Sequence, residues 1–309
     1  MNQLLNVSTS PHIRKSINTS KIMLYVIIAL LPTSIFGIMR YGIHSLYIIL
    51  ITIAFSVFFE WLFCIIMKKE QTINDFSAVV TGLILALNMP PNISLWVPII
   101  GAFFAIVVIK ELFGGIGQNF MNPALGARCF LLISFAGQMS NFNIDGISSA
   151  TPLALERMGE TTSITNLFMG FIPGTIGEVS KICLLIGAIF LLWKGIIKLR
   201  IPFFYILSFC IFIFLFGNQK FDINYIFRQV LSGGLIFGAF FMATDYATSP
   251  ITPIGQIIYA LLLGFLTAIF RTFSQSTEGV SYAIILGNVL YPLIESISYP
   301  KAFGREAKK

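Results

Sequence analysis

The chain has 309 residues, of which 56% are apolar and only 11% charged, and its mean hydropathy is +0.86. Soluble domains carry about 25% charged residues, so this shortfall excludes a soluble enzyme, a disordered chain and a nucleic-acid-binding domain. The net charge of +7 comes from short basic clusters between apolar runs, which is how membrane segments are anchored and not how nucleic acid is gripped.

The first twenty or so residues are polar, and no small-residue cleavage site follows the first apolar run. Ile22 onward therefore reads as a first span and not as a secretory signal. A helix crossing the hydrocarbon core needs about 20 largely apolar residues. About ten apolar segments fit or approach that length: 22–39, 45–67, 77–89, 95–109, 124–135, 182–197, 202–216, 230–243, 256–272 and 280–297. The third, fifth and eighth are too short for a straight crossing, and each abuts Pro, Gly or Asn (Asn88-Met89-Pro90-Pro91, Asn122-Pro123-Ala124, Thr248-Ser249-Pro250). Irregular backbone at membrane depth is tolerated only where it is buried in protein or lines a cavity, so these breaks are the first places to seek a site.

The distribution of Lys and Arg sets orientation. With the N-terminus inside, the cytoplasmic group is Arg14, Lys15, Lys21, Lys68, Lys69, Lys110, Lys194, Lys198, Arg200, Lys301, Arg305, Lys308 and Lys309. It outnumbers the outer group of Arg40, Arg157, Lys181, Lys220, Arg228 and Arg271, so both termini are expected in the cytoplasm. The long connection 137–180 is then external, and acidic through Asp145, Glu156, Glu160 and Glu178.

The chain also repeats itself. Thr81-Gly82-Leu83-Ile84, Pro90-Pro91 and Ile100-Gly101 have counterparts in Gly233-Gly234-Leu235-Ile236, Ser249-Pro250 and Ile254-Gly255, about half a chain later. Five segments per half is an odd number, so the second copy must enter the membrane upside down, with a pathway expected at the interface. The expected fold is all-α and polytopic, with about ten transmembrane or half-membrane helices in two inverted five-helix repeats. Its parts are an N-terminal cytoplasmic segment 1–21, a first repeat 22–136, an external loop 137–181, a second repeat 182–297 and a cytoplasmic tail 298–309. Cys64, Cys129, Cys183 and Cys210 are scattered through the spans without CxxC spacing or a nearby His, which argues against a disulfide framework or a zinc site.

Within this frame several residues stand out. Asp75 and Ser77 suit the start of a helix that stops at Asn88 and Pro90, either as an ordinary cap or as part of an ion path. The run Gly114-Gly115-Ile116-Gly117-Gln118-Asn119 precedes a helix as anion-cradling turns do, but no βαβ unit surrounds it, so it is not a dinucleotide fingerprint. Arg128 lies inside a span, where a cation costs roughly 2.5–3.5 kcal/mol on insertion scales and so needs a partner or a cavity. Asp245 sits among Thr244, Thr248, Ser249 and Thr252 where a short span breaks, while Gly234 and Gly238 form a close-packing GxxxG pair. Glu60, within the second span, is an ion-path carboxylate, or else a salt-bridge partner of another subunit or a snorkelling edge position. Gly174-Thr175-Ile176-Gly177-Glu178-Val179-Ser180 ends the long connection, and by itself reads as a helix cap.

Together the stretches 75–91, 114–135, 150–153, 174–180, 232–255 and 278–292, with Ala302-Phe303-Gly304, resemble the D subunits of Rnf complexes, the ion-translocating ferredoxin:NAD oxidoreductases. More distantly they are similar to the B subunits of the Na+-translocating NADH:quinone oxidoreductases. The resemblance implies a membrane component, in the bacterial inner membrane, of a pump coupling electron transfer between ferredoxin and NAD to Na+ or H+ translocation. It also implies FMN, in that family often joined through its phosphate to the threonine of a Gly-x-x-Gly-Glu-Thr-Ser motif. Here the threonine position is Val179, which has no hydroxyl, so attachment through Ser180 or Thr175, a flavin-free loop, or the favoured non-covalent FMN remain. Riboflavin is a further flavin the resemblance brings in.

The cofactor set is thus Gly174, Thr175, Gly177, Glu178, Val179 and Ser180 with Arg128, Asn119, Thr244 and Asp245; the ion-path set is Glu60, Asp75 and Asp245. Expected partners are the other Rnf components: the flavin-bearing G subunit, the A and E membrane subunits, and the soluble B and C subunits. No nucleotide-binding motif or cluster-binding cysteine set occurs in this chain, which assigns NAD and ferredoxin to those partners. The rival classes are a channel or secondary transporter of inverted-repeat design without redox role, and a structural component that only clamps redox partners.

Overall fold

The computed structural model describes residues 18–144, 147–148, 150–217, 222–274 and 279–300. Arg14, Lys15, Lys220, Lys301, Arg305, Lys308 and Lys309 of the charge count, Asp145, Glu278, the 302–304 match and most of both terminal segments lie outside the described residues.

Four helices are long and apolar enough to cross a membrane: α1 (Thr19–Tyr41), α2 (Ile43–Ile66), α13 (Pro253–Phe273) and α14 (Gly279–Ser298). Between them run α3 (Ser77–Leu87), α4 (Trp96–Phe103, continuing through wide π-type turns over Phe104–Glu111) and α5 (Pro123–Ser134). After a long connection come α9 (Lys181–Trp193), α10 (Arg200–Phe216), α11 (Ile223–Leu231) and α12 (Leu235–Phe237, continuing through π-type turns over Gly238–Met242). The chain is a multi-pass membrane protein. Local chemistry explains the helix starts: Asn122, Thr252 and Ser180 each accept a backbone N–H of the following first turn, and Pro123 and Pro253 stand where a missing donor costs nothing.

The short third and fifth spans appear as expected from sequence. The eighth does not run as one piece: α11 and α12 meet at a 65° bend. The break falls at Ser232-Gly233-Gly234, with Gly233 at φ +62°, a conformation that glycine adopts without steric cost. The carbonyls released there are not orphaned. Arg271 Nη2 donates to Ser232 O at 3.0 Å and Lys181 Nζ donates to Gly233 O at 2.9 Å. Side-chain cations thus replace the helical donors that the bend removes.

Packing gives each half its own bundle. In the first half α2 packs on α3 and α4, and α4 on α5; in the second α10 packs on α13, and α13 on α14. The halves meet where α1 packs on α9 and α5 on α14. The connection holds α6 (Ala136–Met139), a two-residue antiparallel hairpin at Asn143–Ile144 and Ile147–Ser148, α7 (Pro152–Arg157) and α8 (Ile164–Met169). It carries a small packed core of its own. Leu167, Ile172 and Val179 form a small core with Phe36, Tyr41 and Leu231, because α8 packs on α9 and α11. One end of the bundle, the loop face, bears this connection. At the other, the terminal face, Thr19 approaches Ile251 and Tyr291 around one cavity.

Gly187 on α9 lets the backbone of α1 come close. A Cβ there would collide with the carbonyl oxygen of Ala29 on α1. Gly187→Val is expected to lower stability by about 1–3 kcal/mol, the usual cost of overpacking, measured by unfolding in detergent against Ala188→Gly as a control.

Candidate functional site

The short helix α3 organises the loop face. It ends at Asn88, and its last carbonyls are satisfied by the 173–180 segment: Gly177 N donates to Leu87 O at 2.7 Å and Ile176 N to Met89 O at 3.0 Å. Gly177 has to be glycine for this approach, because a Cβ would stand 2.6 Å from Leu87 Cβ. The carbonyls of Gly174 and Ile172 in turn accept from the Tyr41 hydroxyl, at 3.1 and 3.3 Å, which ties the segment to α1.

Arg128 projects from α5 into this junction. Its Nη1 donates to Asn88 Oδ1 at 2.6 Å, to Ser281 Oγ on α14 at 3.1 Å and to Glu178 Oε1 at 3.2 Å. All four residues are buried. One guanidinium therefore joins α3, α5, α14 and the connection, which span both halves. Lys181, fully buried, donates to the carbonyls of Glu178 and Gly233, and Arg271 donates to those of Gln229 and Ser232. Outside them, Glu156 accepts from Arg228 Nε at 2.8 Å and from Gln229 Nε2 at 2.7 Å, which fastens α7 over the cluster.

A cavity of about 30 Å³ remains between Arg128, Arg271, Gly174, Thr175, Glu178 and the glycines at 233–234. Thr175 Oγ1 is buried there with no hydrogen-bond partner among the described residues. A Cβ on Gly174 would meet nothing within 4 Å. Val179 faces the other way, into the apolar cluster with Leu167 and Ile172, and Ser180 Oγ caps α9 by accepting from Cys183 N at 3.4 Å. Of the three positions weighed for attachment, only Thr175 presents a hydroxyl to the cavity.

The remaining sequence candidates are at the terminal face. Asn119, Thr244 and Asp245 line a second cavity of about 440 Å³, together with Ser77, Thr81 and Lys110. This volume is in the range of small-ligand sites, roughly 300–1,000 Å³. Asn119 Nδ2 donates to Met121 O at 3.0 Å, and Asp245 Oδ2 accepts from Thr248 Oγ1 at 3.2 Å. The other hydroxyls around Asp245 turn to backbone: Thr244 to Phe240 O, Ser249 to Asp245 O, and Thr252 to the first turn of α13. The sequence grouped ten cofactor residues as one set; the fold separates Asn119, Thr244 and Asp245 from the 174–180 segment and Arg128.

Asp75 Oδ1 accepts from Ser77 N at 2.7 Å, so its carboxylate caps α3. Glu60 is fully buried and ion-paired with Lys110 Nζ at 3.0 Å; Lys110 also donates to Ser77 Oγ at 2.6 Å and stands 3.6 Å from Glu111 Oε1. The sequence reading counted Lys110, Lys181 and Arg271 as anchors at span ends and did not single out Glu111. That reading is corrected: all four are buried. Lys-Glu directly after a long apolar run was the available signal at Lys110. Removing one residue from the larger group and two from the smaller leaves the charge asymmetry between faces in place.

Breaking the Arg128 junction should be severe. Arg128→Met leaves the Glu178 carboxylate buried without its cation, and a cost of about 3–5 kcal/mol is expected in unfolding measurements in detergent. Arg128→Met combined with Glu178→Gln should recover part of that loss; a strictly additive double variant would show the two groups to be uncoupled.

The chain matches the model of the NQR2, RnfD, RnfE family over residues 6–304. It is 46% identical to the D subunit of the Na+-translocating ferredoxin:NAD+ oxidoreductase complex of Acetobacterium woodii, in an alignment covering 98% of this chain and 97% of the relative. Identity to the D subunit of the proton-translocating ferredoxin:NAD+ oxidoreductase complex of Clostridium ljungdahlii is 37%, over 97% of this chain and 96% of the relative. The D subunit of the ion-translocating oxidoreductase complex of Methanosarcina acetivorans is 34% identical over 98% of both chains. A family match over residues 6–304, nearly the whole chain, means that this chain belongs to the NQR2, RnfD, RnfE family.

Proposed function

We propose that this chain is the D subunit of an ion-translocating ferredoxin:NAD oxidoreductase, a membrane component of a redox-driven pump, working with flavin-bearing, membrane and soluble partner proteins. The observation that carries this reading is the nearly full-length similarity to proteins of that name, at 46% identity. The bacterial inner membrane is what membership of this family implies, and the basic asymmetry along the sequence supports both termini being cytoplasmic. The matched packing of α2–α4–α5 and α10–α13–α14 supports two inverted halves, 22–136 and 182–297, joined by the external connection.

The loop-face cluster fits the phosphate of FMN. Its buried side chains are the cations Arg128, Lys181 and Arg271 against the single carboxylate Glu178, and an unpartnered Thr175 hydroxyl faces the cavity. A cavity of about 30 Å³ has room for only a small group, so the flavin ring lies beyond it, against the outer surface or a partner protein. Arg128 and Arg271 would hold the phosphate oxygens, Thr175 would donate to one of them, and Glu178 would keep Arg128 oriented. When bound, the flavin supplies the electron-carrying chemistry, while the protein sets its position and its exposure to water. The larger terminal-face cavity, with Asn119, Thr244 and Asp245 on its wall, suits an uncharged ring system such as riboflavin, and Glu60 and Asp245 are the ion-path carboxylates on that side.

Two outcomes test the flavin reading. The complex purified in mild detergent should contain the partner proteins and a visible flavin band, and denaturation should release this chain's flavin as free FMN, because Val179 cannot form a phosphoester. A flavin-free complex, or a flavin-bearing peptide containing Ser180, would contradict it. Thr175→Val should weaken FMN retention roughly tenfold, about the loss of one hydrogen bond to a charged group.

A further inference from the structure

The turn from α9 to α10 sorts its side chains by polarity. Ile196 and Ile197 turn inward and line the terminal-face cavity, while Trp193, Lys194, Lys198 and Leu199 are exposed. Gly195, at φ +68°, allows the reversal between them. The chain carries no Asp or Glu between Glu178 and Asp222, so these cations have no acidic neighbour in sequence. The fold supplies none either: no ion pair involves Lys194 or Lys198 among the described residues, and Arg200 donates to Gln256 Oε1 at 2.9 Å.

Lys194 is nevertheless held in one place. Its ammonium lies over the rings of Trp193, Tyr25 and Phe190, 4.6, 5.4 and 5.9 Å from their centroids. Tyr25 and Phe190 meet edge to face across the seam where α1 packs on α9. Lys21 stands one turn before Tyr25, and Lys194 one turn after Phe190, so each half brings a cation to the same end of the seam. Lys21 heads a stripe of exposed aliphatic residues at helical spacing, Leu24, Ile28 and Leu31, and Trp193 closes another, Ile186 and Ile189. Cations, then aromatic rings, then aliphatic side chains down one surface match an amphiphile with an anionic head. A soluble anion would use the cations and leave both stripes uncovered.

We infer that the terminal-face end of the α1–α9 seam binds an anionic phospholipid, its phosphodiester between Lys194 and Lys198 with Lys21 across the seam, and its acyl chains along the two stripes. The headgroup joins a cation of the first half to two of the second, so the lipid clasps the junction between the halves. The side chains that hold it line neither cavity, and the site stands whether or not the chain carries a flavin.

Trp193 reports on the site. The complex, purified in mild detergent, is titrated with phosphatidylglycerol or phosphatidylcholine brominated on the acyl chains, and quenching of Trp193 is read as the difference between wild type and Trp193→Phe. A lysine at a membrane surface is worth about fivefold in affinity for an anionic headgroup, so wild type should prefer phosphatidylglycerol by about 25-fold. Lys194→Gln with Lys198→Gln should lose most of that preference. Equal quenching by the two lipids in wild type would overturn the inference, as would a preference unchanged in the double variant. Displacement of the brominated lipid by inorganic phosphate would assign the cations to a soluble anion and also overturn it. Should the double variant fail to assemble, Lys198→Gln alone should lower the preference about fivefold, and no change there would count against the site equally.

Discussion

A charge inside an apolar bundle must be matched or it will not stay there, and this constraint organises the molecule. At the loop face Arg128 pairs with Glu178, while Lys181 and Arg271 donate to the backbone carbonyls released by the bend between α11 and α12. At the terminal face Glu60 and Glu111 flank Lys110, and the half-buried Asp245 lines the same cavity as that lysine. The protein therefore presents a positive interior at one end and a negative one at the other. An anionic phosphate suits the first, and a mobile cation suits the second.

The breaks in the helices make this polarity compatible with the fold. Had α3 run straight through, Asn88 could not meet Arg128, and the 173–180 segment would have no carbonyls to close. Had α12 continued α11, Ser232 and Gly233 would bond within the helix, leaving Arg271 and Lys181 to be buried with fewer acceptors. Each irregularity is stabilised by a cation, and each cation by an irregularity. Such mutual dependence favours one arrangement over near alternatives, because loosening either partner exposes the other to an apolar surround.

Much of the fold was legible in the sequence because the hydrocarbon core imposes a length and a composition. The segments 45–67 and 280–297 correspond to α2 and α14 within a residue or two, and the short 77–89 and 124–135 correspond to α3 and α5. Arg128 was legible too, since a lone cation in an apolar run has to find partners. Its partners were not. Glu178, Asn88 and Ser281 are distant in sequence, and only packing brings them within hydrogen-bond reach. The inward burial of Lys110, Lys181 and Arg271 escaped notice for a related reason: a charge at the end of an apolar run looks alike whether the chain turns it to water or into the bundle. The separation of Asn119, Thr244 and Asp245 from Gly174 and Thr175 was hidden because sequence order carries no depth.

The polarity of the two interiors is the claim on which the functional account stands, and an experimental density map of the assembled complex at side-chain resolution tests it directly. The account predicts phosphate density bracketed by Arg128, Arg271 and Thr175 at the loop face. Phosphate density beside Glu60 and Asp245 at the terminal face, with the loop-face cluster empty, would contradict it.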